Sequence, residues 1–358
     1  MSTLFNPYRL GNLELQNRTV MAPMTRSRAI GNIPNELIAK YYAQRASAGL
    51  IVAEGTSPSP NGLGYARIPG IYNQQQILEW KKVTDAVHEQ GGKIFVQLMH
   101  TGRVTHPDNL PVGGEVLAPS AVKLESTTMW VDGKGMLDIP VPRAMTRNEV
   151  LNTIDEYVQA AKNAVLAGFD GIEVHGANGY LVKQFLNPHT NRRTDEFGGS
   201  IENRSRFLLE VVRGVIAAIG KDKVGVRVSP YSTFNETPHY PEVDATYEHL
   251  SLELNKLGVT YLHVITAGVP DALLKTIRNN FRNSLIVAGD YNHDRATQAI
   301  EEGADLVAFG RPFLANPDLV DRLKKKLPFN QPNYNLLYTP AAEGYLDYPV
   351  FENAAVFA

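Results

Sequence analysis

Eight short apolar runs, rich in β-branched residues, recur along this chain with longer amphipathic stretches between them. The runs cover residues 19–22, 50–53, 93–98, 171–175, 224–228, 261–266, 285–288 and 306–309. Unbroken apolar runs of this length suit strands buried on both faces, as in a parallel sheet. Helical patterns fill the gaps, at 35–48, 74–90, 148–167, 201–219, 244–257, 293–302 and 317–325. Glycines follow six of them, at Gly49, Gly91, Gly168, Gly220, Gly258 and Gly303. Such glycines mark helix ends because they tolerate positive φ. Helix, glycine, strand is the rhythm of an α/β fold, and eight strands favour a closed (β/α)8 TIM barrel over an open sheet.

Three segments fall outside the rhythm. Residues 8–15 read as a short hairpin turning at Gly11-Asn12, placed to plug the bottom of the barrel. Residues 101–146 form a long Pro/Gly-rich insertion after the third strand, and a long ordered loop there is more often a lid or binding element than a linker. The tail from Pro328 is irregular but carries Tyr334, Tyr338, Tyr345 and Tyr348, too many aromatics for disorder. The expectation is one barrel domain over residues 1–358.

Composition narrows the chemistry. With 43% hydrophobic residues the chain can bury a large core, and its net charge of -2 gives no reason to expect nucleic acid or an anionic membrane. It has no cysteine, which excludes disulfides, thiolate nucleophiles and iron–sulfur clusters. The start lacks the basic and apolar regions of a secretory signal, and no apolar run approaches the roughly 18 residues of a membrane helix. A soluble cytoplasmic protein is the default expectation.

Active sites of such barrels lie at the C-terminal ends of the strands. The polar residues at or just after those ends are Thr25, Thr56, Gln97, His100, His175, Asn178, Arg227, Thr266, Asp290 and Arg311. The last two strands end in Gly289-Asp290 and Gly310-Arg311. Either glycine alone reads as a tight turn; the two together, beside an arginine, favour a phosphate site. An arginine within an apolar strand, as at Arg227, is unusual without a partner. A flavin suits it, because the pyrimidine edge gains negative charge on reduction. Gln97 can donate to that edge and accept from it at once. His175 and Asn178, on one glycine-rich turn, can hold a carbonyl or nitro oxygen between them. Tyr180, protonated at neutral pH, can serve as an acid. His100 and His263 read as structural, and no HExxH or compact ligand cluster supports zinc.

These residues sit within motifs that resemble the Old Yellow Enzyme family of FMN-dependent ene-reductases. The matching stretches are residues 17–26, 96–98 with 100–103, 175–186, 191–204, 226–230, 309–312 and 342–349. The resemblance runs nearly end to end. It implies non-covalent FMN with Pro23, Met24 and Thr25 against the flavin, and Gly55, Gln97 and Arg227 on the ring and ribityl chain. Gly289, Asp290, Gly310 and Arg311 would hold the phosphate, Asp290 through its backbone N–H. NADPH or NADH would reduce FMN. An α,β-unsaturated carbonyl or nitroalkene would then bind to His175 and Asn178, take hydride from flavin N5 at its β-carbon, and be protonated by Tyr180 at its α-carbon. Tyr65, Met99 and Tyr338 would border the substrate.

The sequence also departs from the family pattern. Several members carry tryptophan at Met99 and many carry alanine at Gly55, which puts substrate preference in question more than reaction type. The run from Arg193 to Arg204 reads as structural, and Arg143 is a weak nucleotide contact. The expected partner is a small unsaturated molecule, with no nucleic acid or membrane, and a monomer or weak homo-oligomer. Nitro-compound or nitrate-ester reduction in the same pocket, a non-catalytic flavin protein and a flavin-free lyase or isomerase are the competing readings.

Overall fold

The computed structural model describes residues 3–351; residues 1, 2 and 352–358 of the expected domain lie outside the described residues. Eight parallel strands form the barrel: β1 (Thr19–Met21), β2 (Leu50–Thr56), β3 (Ile94–Leu98), β4 (Gly171–Gly176), β5 (Val224–Val228), β6 (Tyr261–Ile265), β7 (Ser284–Ala288) and β8 (Leu306–Phe309). Each pairs with the next, and β8 pairs with β1, so the sheet closes. The expected barrel is borne out. Its strands were legible because both of their faces are buried. Ile51, Val96, Val174, Val226 and Val264 point outward into the layer beneath the helices. Val20, Leu50, Val52, Phe95, Tyr261, Ile286 and Leu306 fill the interior.

Leu10 and Leu15 join that interior cluster from the hairpin Tyr8–Leu10/Leu13–Leu15, so the hairpin plugs the barrel as expected. Gly225 leaves room inside for the Tyr261 ring: a Cβ there would lie 2.1 Å from it. Above this apolar layer the interior turns polar, with Gln97, Glu173, His175, Arg227 and His263 all buried.

The helices are α1 (Glu36–Ala43), α2 (Gln74–Glu89), α3 (Arg147–Leu166), α4 (Leu181–Leu186), α5 (Ile201–Ile219), α6 (Val243–Leu257), α7 (Asp271–Asn280), α8 (His293–Glu301), α9 (Arg311–Ala315) and α10 (Leu319–Lys325). The sequence pattern missed three of these. All six residues of α4 are buried, so it has no polar face to create a period. Helix α7 buries only Leu273 and Ile277 and has no capping side chain, and α9 is a single short turn. Helix α1 ends five residues early. Gly49 does not close it with positive φ; a Cβ there would lie 2.0 Å from the Asn17 carbonyl oxygen. That glycine serves a close approach between backbones.

The insertion has structure of its own. An antiparallel hairpin pairs Thr128–Val131 with Gly135–Asp138, and Leu117–Ala118 pairs with Arg143–Ala144. Arg143 binds Glu115 at 2.5 Å and Glu149 at 2.7 Å, so its charge staples the insertion rather than facing a nucleotide. Arg193 pairs with Asp195 and donates to the Pro119 carbonyl, as a structural residue should. The tail is strapped on by two buried arginines. Arg26 donates to the carbonyls of Leu337 and Gly344, and Arg28 to those of Leu336, Leu337, Ala341 and Glu343. Tyr345 stacks on Tyr41 at 4.1 Å. No helix among the described residues is long and apolar enough to cross a membrane.

Candidate active site

A cavity of about 1050 Å³ opens at the C-terminal ends of the strands. Pro23 and Thr25 after β1, Gly55 on β2, Gln97 on β3, His175 on β4 and Arg227 on β5 all line it. So do Tyr65, Met99, Asn178, Tyr180 and Tyr338. Strand register explains part of this: His175 lies opposite Arg227, and Glu173 opposite Gln97.

The turn after β4 is fixed by its backbone. Asn178 adopts φ 56, a left-handed conformation that asparagine tolerates better than most residues. Its N–H donates to Ser229 Oγ at 2.9 Å, and its carbonyl accepts from Asn235 Nδ2 at 2.8 Å. The side-chain amide is thereby left facing the cavity. His175 stands beside it with its ring 5.1 Å from that of Tyr180. Burial, reinforced by Arg227, holds the His175 imidazole well below its usual pKa, so it is neutral. Its Nδ1 is buried without a hydrogen-bond partner. The Tyr180 hydroxyl lies 2.9 Å from that of Tyr65. Burial raises the Tyr180 pKa and keeps the proton on.

Arg227 is buried, and its Nε has no partner. A buried donor left unsatisfied is costly in a folded protein, and this one borders the cavity. Met99 packs over Gly55: a Cβ on Gly55 would lie 2.6 Å from the Met99 thioether. The two departures from the family pattern are therefore one feature, since the methionine occupies the space an alanine would take.

The expected phosphate residues lie outside the cavity lining. Ala288 pairs with Ala308, which sets Gly289-Asp290 and Gly310-Arg311 on neighbouring strand ends. Met24 lies outside the cavity lining as well and packs against this region, its Sδ 3.5 Å from a Cβ built on Gly310. Arg311 is exposed, with no side-chain partner among the described residues. The Asp290 carbonyl accepts from Arg295. His100 is structural as read: its Nδ1 accepts from the Gly102 N–H at 3.0 Å.

Two groups escaped the sequence reading. Ile30, Trp130, Met136 and Phe234 form an apolar rim with Tyr338, and all five are about half or more exposed. Trp130 and Met136 face each other across the insertion hairpin, and Ile30 and Phe234 come from connecting segments, so no single periodic pattern joins them. Glu173 lies under the cavity and accepts from Gln97 Nε2, Tyr261 and His263. A charge within an apolar strand was the signal there, the same one that marked Arg227.

A closed parallel barrel whose mouth joins a buried guanidinium, a neutral imidazole and a protonated phenol has the layout of a barrel enzyme with its site at the strand C-termini. The sequence model of the NADH:flavin oxidoreductase / NADH oxidase family matches residues 3–330. The chain belongs to that family, as its resemblance to the Old Yellow Enzymes implied. A 12-oxophytodienoate reductase 7 of Oryza sativa subsp. japonica is 40% identical, covering 97% of this chain and 94% of its own. A protein of Leishmania infantum described as a probable flavin mononucleotide-dependent alkene reductase is 41% identical, with 98% of both chains covered. The structure of morphinone reductase in complex with tetrahydroNAD superposes with a TM-score of 0.95 at 43% identity, covering 99% of both chains.

Proposed function

We propose that the chain acts as one FMN-binding barrel unit that reduces activated alkenes at the expense of NAD(P)H. Hydride and a proton add across the C=C bond of an α,β-unsaturated carbonyl or nitroalkene as NAD(P)H becomes NAD(P)+. Three similar proteins bear names that refer to an alkene, to 12-oxophytodienoate and to morphinone. The observation that carries the reading here is the unpartnered Arg227 Nε beside the cavity that His175, Asn178 and Tyr180 line.

The residues fit FMN. Arg227 and Gln97 offer donors to its pyrimidine edge, while Pro23, Thr25 and Gly55 line the cavity from the ends of β1 and β2 and Met24 packs toward Gly310. Gly289, Asp290, Gly310 and the unpaired Arg311 would take the phosphate through backbone N–H groups and one guanidinium. FMN when bound supplies a ring that accepts and releases hydride. His175 and Asn178 donate to the substrate oxygen and draw electron density from the alkene. The Tyr180 hydroxyl holds the proton destined for the α-carbon, and Tyr65 then donates to the oxygen left behind. Met99, Tyr65 and Tyr338 shape the substrate end, and the apolar rim suits substituents larger than a simple ring. We also infer a cytoplasmic monomer or weak homo-oligomer; its near-balanced charge supports the absence of a nucleic-acid partner.

Anaerobic stopped-flow measurement tests the whole reading. The purified protein should be yellow, lose its flavin absorbance with NADPH or NADH, and regain it with cyclohexenone. A colourless protein, or a flavin unchanged by both reagents, would refute the proposal.

A further inference from the structure

Glu173 is fully buried inside the barrel, one layer below His175 and Arg227, and does not line the cavity. Oε1 accepts from Gln97 Nε2 at 2.7 Å. Oε2 accepts from His263 Nδ1 at 2.8 Å and from the Tyr261 hydroxyl at 3.1 Å. Three donors converging on one buried carboxylate are what its charged form requires. Burial pushes the carboxyl pKa up, but His263, Arg227 and the Gln97 amide outweigh that and hold it below the usual value. Burial lowers the His263 pKa, so a neutral ring donates through Nδ1.

Two consequences reach the cavity. A carboxylate only accepts, so the Gln97 amide nitrogen is bound downward and its oxygen, with one remaining N–H, is left for a ligand. Gln97 is therefore not free to choose its orientation. Second, the charge of Arg227 is opposed by a fixed anion just beneath the site. Arg227 would otherwise be a lone buried cation, an unfavourable state.

We propose that Glu173 is a positioning residue of the flavin site: it orients Gln97 and offsets the Arg227 charge, thereby setting the balance between oxidised and reduced flavin. This rests on the FMN reading above. Hydride from NAD(P)H carries two electrons and one proton, so its transfer adds one negative charge to the ring. A bare Arg227 would favour that charge strongly; Glu173 moderates the preference.

The test compares wild type with Glu173→Gln and Tyr261→Phe, using the dissociation constants of oxidised and reduced FMN and the midpoint potential. Glu173→Gln removes the anion and should raise the affinity ratio, reduced over oxidised, by roughly tenfold. Tyr261→Phe removes one donor, leaves more negative charge on the carboxylate, and should lower the ratio by roughly two- to threefold. Opposite signs are the supporting result, because a merely structural role would weaken both flavin states together. An unchanged ratio in both variants, or a shift of the same sign in both, overturns the proposal. If Glu173→Gln fails to fold, Tyr261→Phe decides alone: a fall supports, no change or a rise refutes. Failure of wild type to bind FMN would instead refute the FMN reading on which this rests.

Discussion

Burial raises the pKa of the Tyr180 hydroxyl, while the Tyr65 hydroxyl 2.9 Å away, Asn235 and Arg227 lower it. Burial wins, so the phenol carries its proton across the neutral range, and neighbouring His175 is neutral there as well. Neither group titrates near neutrality, and Lys183, which donates to the Ser229 hydroxyl behind Asn178 and is lowered to about 7 by burial, is largely neutral above it, so the alkene-reducing half-reaction should be flat between about pH 8 and 9. A bell centred in that range would show that another group supplies the proton. Tyr180→Phe should slow that half-reaction about 10²–10⁴-fold, while NAD(P)H still reduces the flavin. Tyr65→Phe removes only the donor that steadies the oxygen left behind, and should slow the same step roughly tenfold. Equal loss of both half-reactions in either variant would mean that the substitution had damaged the flavin site.

Among the elements, the loop after β5 joins the site to the insertion. Asn235 and Glu236 both adopt positive φ, at 55 and 53, which is uncommon for side-chain-bearing residues. The strain aims Asn235 at the Asn178 carbonyl and Glu236 at the base of the insertion. The Glu236 carboxylate accepts from the backbone N–H groups of Glu125, Ser126 and Thr127 at 2.7–2.9 Å. Glu236→Ala should therefore speed hydrogen exchange at residues 125–127 and raise KM for bulky enones a few-fold, with cyclohexenone little affected. Exchange as slow as in wild type would show that the clamp is redundant. This clamp was not legible in the sequence, because nothing local ties Glu236 to a segment more than a hundred positions earlier. The insertion hairpin was hidden for a related reason. Gly135–Asp138 buries none of its residues fully, so no apolar alternation marks it. The barrel strands and the helices near residues 74 and 148 were readable because their signals are local, apolar runs and amphipathic patterns; the structure adds capping boxes at Asn73 and Thr146. The same contrast holds within the site, where His175, Asn178 and Tyr180 share one short stretch, while Glu173 gains its meaning only from Gln97, Tyr261 and His263 on other strands.

At the scale of the whole molecule, the barrel is closed at its bottom by Leu10 and Leu15, and its C-terminal tail is strapped beside the mouth through Arg26 and Arg28. That strap carries Tyr338 to the cavity and Tyr345 onto Tyr41. Beneath the strap Glu54 accepts from the Arg26 N–H at 3.2 Å and lies near both guanidiniums. Burial pushes the Glu54 carboxyl pKa up to about 7 despite those cations. The consequence for stability has a definite sign. Between the unfolded value near 4.5 and about 7 the folded chain holds more protons at this position than the unfolded one. Stability from this group is complete below that window, falls as pH rises through it, and is constant above it. The shift corresponds to up to roughly 3 kcal/mol. Glu54→Gln keeps a neutral acceptor for Arg26 at every pH, so urea melts of the variant should change less between pH 4.5 and 7 than those of wild type. Equal pH slopes for the two proteins would remove Glu54 as the titrating group.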